Sequence, residues 1–320
     1  MNDLHVVLGA KGGVGYHVAN LLKQQGLPYT TVQRGNAPDG TPGIKADLLD
    51  ESQAHAALKG ATHVYLCTGL PYLSKVWQVQ WPKLMQYVIA ACETSGAKLI
   101  FLDNMYMYGP SPLPVPFDET TSQHTFTKKG KVRKTVADYM LGAIEDGRIQ
   151  GVIGRAADFY GPAASNSLLY FSFLERMLLG KNPQTLLSKN CIHSFAYTPD
   201  IARALITLAL DKHNNGEVFH MPVSGPITIE AITAIFSQKL GKPFKPEYLP
   251  SFLLEILSLF MPPLAEIKEM HYQFSQPYDM LWKKLKNRYP NLEATSYEVG
   301  IAAMVEWFIN GDAYANKKGG

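Results

Sequence analysis

An apolar run, Leu4 to Leu8, leads directly into Gly9-Ala10-Lys11-Gly12-Gly13-Val14-Gly15 and then into a helical pattern carried by Val18, Leu21 and Leu22. Few folds accommodate that succession. Glycines spaced three apart after a strand turn the chain tightly at Gly9, let the backbone approach a ligand at Gly12, and let helix and strand pack closely at Gly15. A pyrophosphate would then face the start of the helix, so the stretch reads as a dinucleotide site formed by Gly9, Lys11, Gly12, Gly13, Val14 and Gly15. The spacing is G-x-x-G-x-x-G instead of the common G-x-G-x-x-G, and a glycine-rich loop with no ligand is the alternative.

The next residues bear on that choice. Tyr29 to Val32 reads as a second, β-branched strand that closes on Gln33-Arg34-Gly35. At this place an acidic residue bonds the ribose 2′-hydroxyl of NAD, whereas an arginine accommodates the 2′-phosphate of NADP. No Asp or Glu occurs between Tyr29 and Asn36, and Arg34 does. NADP is therefore the expected cofactor and NAD a possible one, with a solvated surface arginine as the alternative. Lys45-Ala46-Asp47-Leu48 is a short extended stretch before a helix over Ser52 to Leu58. His63 to Gly69 is a strand ending in Cys67, Thr68 and Gly69, where small residues let the backbone lie against a cofactor. A long helical pattern over Ser74 to Ser95, a strand over Ala97 to Leu102, a helix over Lys128 to Glu145 and a strand over Ile149 to Gly154 follow. The alternation predicts an α/β fold of the Rossmann type, a doubly wound parallel sheet with helices on both faces.

At 320 residues, 46% apolar and 18% charged, the chain can bury a large core. A net charge of +3 is too small to argue for nucleic acid or a membrane surface. The three cysteines, Cys67, Cys92 and Cys191, lie far apart with neither C-x-x-C nor histidine pairing, so no disulfide framework and no metal site is expected. Met1 runs straight towards a strand with no basic-then-apolar leader, which points to the cytoplasm. The apolar stretch from Phe252 to Leu264 is broken by Glu255 and Pro262-Pro263 and is too short to span a bilayer. It reads as a helix against the core or at a subunit interface, leaving a homodimer open.

Together these landmarks resemble the extended short-chain dehydrogenase/reductases, the group that includes nucleotide-sugar epimerases and dehydratases. Gly9, Gly12 and Gly15 match its cofactor turn, and Asp47-Leu48 its adenine-contacting Asp-Leu pair. Thr68-Gly69 falls where its fourth strand meets the cofactor, and Tyr108-Gly109 matches the ending of its fifth strand. Arg155 to Pro162 resembles its Arg-x-x-x-x-Tyr-Gly-Pro, and Ala196 to Ala202 its Tyr-Val-x-Asp-Val-Ala segment. The resemblance implies a cofactor domain over 1–165, rejoined by about 190–222, and a smaller, discontinuous substrate-binding lobe over most of 166–320. Helical patterns at Leu168 to Leu179, Ile227 to Leu240 and Ser296 to Ile309 belong to that lobe. The tail from Asn316 is expected to be disordered. The implied partner is a small molecule with a carbonyl or hydroxyl group, or a nucleotide sugar.

The departure lies where that family's chemistry lies. The family uses a serine or threonine after the fifth strand and a Tyr-x-x-x-Lys pair on the next helix. Here Asn104 holds the serine position, Lys129 the tyrosine position and Arg133 the lysine position. Arg133 keeps donors for ribose or pyrophosphate. Lys129 stands one helical turn away on the same face and could act as a general acid or base, against the alternative that Lys128 to Lys134 is a solvated basic face. Tyr106 and Tyr108 are alternative proton donors or structural phenols, and Asn104 can orient a substrate oxygen without exchanging its proton. His124 and His193 are weaker candidates. The competing class is a non-catalytic NADP sensor, similar to the NmrA-like regulators.

Overall fold

The computed structural model describes residues 3–38, 40–186, 191–258 and 262–310. In chain order its elements are β1 (His5–Leu8), α1 (Gly13–Gln24), β2 (Tyr29–Gln33), β3 (Gly43–Lys45), α2 (Glu51–Ala57), β4 (His63–Leu66), α3 (Ser74–Ser95), β5 (Lys98–Asp103), α4 (Lys128–Glu145), β6 (Gln150–Arg155) and β7 (Asp158–Tyr160). A π-helical turn (Leu169–Leu174), α5 (Glu175–Leu178), β8 (Gln184–Thr185), β9 (Ile192–Tyr197), α6 (Thr198–Leu210), β10 (Val218–His220), β11 (Pro226–Thr228) and α7 (Ile229–Leu240) come next. The chain continues through β12 (Glu247–Tyr248), α8 (Ser251–Ser258), α9 (Pro262–Glu269), α10 (His271–Ser275), α11 (Lys283–Arg288) and α12 (Tyr297–Asn310). It divides into two compact units, Met1–Pro110 with Ser122–Ala156 and Ile201–Met221, and Ser111–Thr121 with Ala157–Asp200 and Pro222–Gly320.

The first unit holds a seven-stranded sheet in the order β10-β6-β5-β4-β1-β2-β3, with every neighbouring pair parallel. Parallel strands covered on both faces must be apolar almost throughout, and His5–Leu8 is buried at every position. α3 contributes Trp77, Trp81, Leu84, Met85, Val88 and Ile89 at helical spacing; this buried stripe keeps the helix continuous through Pro82, and Gly96 ends it in the left-handed conformation at φ 72°. α4 begins where the Thr127 side chain accepts the Gly130 N–H.

Residues 201–221 are tied into this unit at several points. β10 pairs with β6. The buried Lys98 amino group donates to the Leu208 carbonyl at 2.8 Å and to Asn214 Oδ1 at 2.7 Å, closing the C-terminal end of α6. A methyl group at Gly154 would stand 2.9 Å from both Leu205 Cδ2 and Met221 Cε, so glycine permits the close packing of β6 on this segment.

The second unit contains the three-stranded sheet β11-β9-β7 and a core that includes Tyr160, Phe173, Phe195, Phe236, Ile301 and Phe308. Asp200 accepts from Thr295 N at 2.6 Å and Thr295 Oγ1 at 2.8 Å. The helix expected at Leu168 to Leu179 is π-helical over its first part. The helix expected from Ile227 starts at Ile229, after a short strand whose last residue, Thr228, caps it. The apolar stretch near Phe252 forms α8 and α9, and the tail from Asn316 lies outside the described residues. No helix among the described residues is long and apolar enough to cross a membrane. Nor does any group of three or more His, Cys, Asp or Glu among them stand ready to hold a metal.

Candidate functional site

The strand order reverses between β1 and β4, and the crevice outside the carboxyl ends of strands at such a reversal is where open α/β sheets bind ligands. The glycine turn leaves β1 there, and Cys67-Thr68-Gly69 leaves β4 beside it. Gly9 has φ +90°, and a Cβ on it would lie 2.8 Å from Thr68 Cα. A Cβ on Gly15 would lie 2.4 Å from the Gly9 carbonyl oxygen. Both glycines are demanded by the packing of the fold itself.

Gly12 is different. Its Cβ would meet Gly9 O only at 3.4 Å and Cys67 O at 3.9 Å, so a side chain there would point into the cradle instead of into protein. Gly12 caps α1 with no side-chain bond, and there is no acid in the first turn. The N–H groups of Gly13, Val14 and Gly15 therefore face the cradle without partners inside the helix. Thr68 Oγ1 is buried there with no hydrogen-bond partner among the described residues. A bare glycine cradle, helix N–H donors and an orphaned hydroxyl fit a dinucleotide's phosphates and ribose.

At the end of β2, Arg34 is exposed. The Lys11 amino group lies 3.9 Å from the point that a Cβ on Gly35 would occupy, so two cations flank this edge of the crevice. Asp47 accepts the Leu49 N–H at 3.0 Å, and its own N–H donates to Gln53 Oε1 at 2.9 Å. Leu48 is buried. Burial pushes the Cys67 thiol up to about 12, which leaves it a neutral lining group.

The positions expected to carry chemistry gather at the carboxyl end of β5. Asn104 Oδ1 accepts the Tyr106 N–H at 3.1 Å. Arg133, expected to meet ribose or pyrophosphate, is 3% exposed, and its Nε donates to Asp103 Oδ1 at 2.7 Å. Its guanidinium lies 4.3 Å from the Trp81 ring centroid and 4.8 Å from that of Phe101. Asp103 also pairs with Arg155 Nε at 3.4 Å. Tyr108 is buried, its hydroxyl 2.7 Å from His220 Nε2 and accepting from Arg155 at 3.0 Å. These contacts make Tyr108 and Arg133 members of one internal network.

Lys129 is fully buried. Its amino group donates to Ser74 Oγ at 3.0 Å and stands 4.5 Å from the centroid of the Tyr72 ring. The basic run at the start of α4 is thus split: Lys128 and Lys131 are exposed, Lys129 and Arg133 buried. His124 is exposed, 3.0 Å from Ser122 Oγ. His193, in the second unit, is buried, with Nε2 2.9 Å from Asp158 Oδ2 and its ring stacked on Tyr278.

Sequence reasoning did not find Asp103, Tyr72, Ser74, Trp77 or His220. One signal was available for Asp103: it is the sole acid between Lys98 and Phe117, on a strand facing arginines that burial obliges to pair.

The fold and the crevice define a nucleotide-binding α/β protein of the Rossmann class. The model of the NAD dependent epimerase/dehydratase family matches residues 5–221, and the chain belongs to that family of enzymes. No curated protein matches it in sequence. Among solved structures it is similar to the UDP-glucose 4-epimerase of Thermotoga maritima, with UDP-glucose, at TM-score 0.78 and 18% identity over 96% of this chain and 99% of that one. It is likewise similar to the UDP-N-acetylglucosamine 4-epimerase of Methanobrevibacter ruminantium M1, in complex with UDP-N-acetylmuramic acid, at 0.77 and 18% over 97% and 98%. The dTDP-glucose 4,6-dehydratase DesIV of Streptomyces venezuelae, with NAD and TYD bound, scores 0.77 at 15% over 97% and 98%. At these identities the similarity speaks for the fold.

Proposed function

We propose that the protein is an NADP(H)-dependent enzyme acting at a hydroxyl or carbonyl carbon of a nucleotide-sugar-like substrate, with a catalytic centre in which the usual tyrosine–lysine pair is replaced. The observation that carries the cofactor half is the bare Gly12 cradle beside the orphaned Thr68 hydroxyl. Gly9 to Gly15 would hold the pyrophosphate, Thr68 and Gly69 the middle of the dinucleotide, and Asp47-Leu48 the adenine side. Arg34 and Lys11 would hold the 2′-phosphate, for which NAD offers no equivalent charge. When bound, such a cofactor supplies reversible oxidation at the substrate carbon. The nucleotide-sugar assignment follows the structural neighbours, which act on such compounds.

Arg133 and Asp103 fix the end of β5, from which Asn104 is presented to orient a substrate oxygen. A non-catalytic NADP sensor is the second reading, favoured by one observation only, the absence of Tyr-x-x-x-Lys at Lys129 and Arg133. Against it stands the buried Lys129 amino group, an arrangement that costs stability and that a reporter of cofactor occupancy does not need. A panel of UDP- and dTDP-sugars with NADP or NAD decides between them. Cofactor absorbance changes or altered sugars are expected with at least one substrate, and tight NADP binding with no conversion of any would leave the sensor.

A further inference from the structure

Chemistry at a hydroxyl carbon needs a group that exchanges a proton with the oxygen, and α4 carries no tyrosine where one is expected. Lys129 does not fill that place by itself. At 0% exposure its amino group is sealed behind other side chains, bonded to Ser74 and covered by the Tyr72 ring. Tyr72 lies on the outer side, 39% exposed, three residues past the Cys67–Gly69 segment that edges the cofactor crevice. Its hydroxyl donates to Tyr106 Oη at 3.3 Å, and Tyr106 is tied through its N–H to Asn104. Trp77 holds both phenols, edge-on to Tyr72 with ring centroids 5.5 Å apart and stacked on Tyr106 at 6.1 Å. Gly130 permits the approach, because a Cβ there would lie 2.3 Å from the Tyr106 carbonyl oxygen.

We propose that Tyr72 is the proton-exchanging residue of this site, with Lys129 behind its ring and Tyr106 bonded to its hydroxyl, so that three elements rebuild what α4 lacks. This rests on the reading of the chain as an enzyme of hydroxyl and carbonyl groups. A positive charge beside a phenol favours its ionised form, and the ring face on an amino group adds a cation–π contact. Tyr106 is a second titratable group in contact with Tyr72, through its hydroxyl. Beyond Trp77 comes the Arg133 guanidinium, 6.0 Å from the Trp77 ring centroid and balanced by Asp103. Lys129 is then a positioning residue. In the oxidising direction the substrate O–H bond breaks and its proton forms an O–H bond with the Tyr72 phenolate. The electron pair left on oxygen becomes the second carbon–oxygen bond, and the carbon-bound hydrogen leaves with its own pair, for which a bound oxidised nicotinamide dinucleotide is the acceptor. Reduction runs the same steps backwards, the Tyr72 hydroxyl returning its proton to the substrate oxygen.

The test starts with the unliganded full chain. Ultraviolet absorbance against pH should show one of the 17 tyrosines ionising at least about one pH unit below the ordinary value of ~10. That step should vanish in Tyr72→Phe, which keeps the ring over Lys129 and hence the fold, and should move upwards in Lys129→Met. With UDP-glucose and NADP, Tyr72→Phe should lower kcat about a hundredfold while KM and the calorimetric NADP affinity stay as they were. A Tyr72→Phe chain that retains the low ionisation step, or that turns over at the wild-type rate, overturns the assignment. If the wild type binds NADP and converts no sugar nucleotide, the enzymatic reading fails and the assignment of Tyr72 falls with it; a wild type that turns over while Tyr72→Phe keeps the low ionisation step overturns the assignment alone.

Discussion

Asp103 is the residue on which the site's internal electrostatics turn. It lies fully buried between two buried arginines, accepting from Arg133 and paired with Arg155, which in turn donates to Tyr108. Removing one partner of a buried ion pair leaves uncompensated charge in a medium that solvates it poorly, and the cost commonly reaches about 3–5 kcal/mol. Asp103→Asn should therefore lower unfolding stability by about that much, read as a fall in the urea midpoint. A loss under about 1 kcal/mol would mean that the two guanidinium groups find other acceptors. Asn104, next in the chain, should lose its fixed orientation in the same variant, so its effects on rate and on stability should appear together.

At the scale of elements, the glycine turn separates two demands that one motif fuses. Gly15 is needed by the packing of α1 on the end of β1, since its Cβ would strike the Gly9 carbonyl; a Cβ on Gly12 meets no such obstacle, and under the proposed function it is the ligand that needs this glycine bare. Gly15→Val should thus give a destabilised or unfolded chain. Gly12→Val should give a folded chain, with an unchanged circular dichroism spectrum, that no longer binds dinucleotide. A Gly12→Val variant of undiminished affinity would break the link between this turn and the cofactor. The turn and the alternating elements after it were legible in the sequence because parallel strands and amphipathic helices carry their period in a single segment. β7 and β9 were not, since Asp158–Tyr160 is too short to show a period and Ile192–Tyr197 is almost wholly buried. Within the site, Lys129 and Arg133 were found by position, but that both are buried depends on Tyr72, Ser74, Trp81 and Asp103, residues 30 to 57 positions away in the chain. No local pattern records such partners.

At the scale of the molecule, one acid-sensitive contact lies at the opposite end of the sheet from the glycine turn. His5 stacks on His63 with ring centroids 4.5 Å apart and meets the Tyr65 hydroxyl at 3.0 Å. Burial first, and the neighbouring His63 second, hold its pKa down to about 4. The unfolded chain takes up that proton near ~6.5, so between these values it binds more protons than the folded one, and stability falls as the pH drops through that window. The urea midpoint should decline from pH 7 to pH 4.5, and less steeply in His5→Phe, which keeps the stacking but cannot titrate. Equal slopes would assign the acid sensitivity to other groups.

In the proposed function, NADP occupies the crevice between the ends of β1, β2 and β4, with Arg34 and Lys11 on its 2′-phosphate. Charge-assisted contacts of that kind are worth about 1.5–3 kcal/mol, or roughly ten- to a hundredfold in affinity. The most direct measurement is a pair of calorimetric titrations of the unaltered chain with NADP and with NAD, repeated on Arg34→Ala. The expected result is tighter binding of NADP by about that factor, with the preference largely lost and NAD affinity nearly unchanged in the variant. Equal affinities for the two dinucleotides in the unaltered chain, or no heat with either, would contradict it.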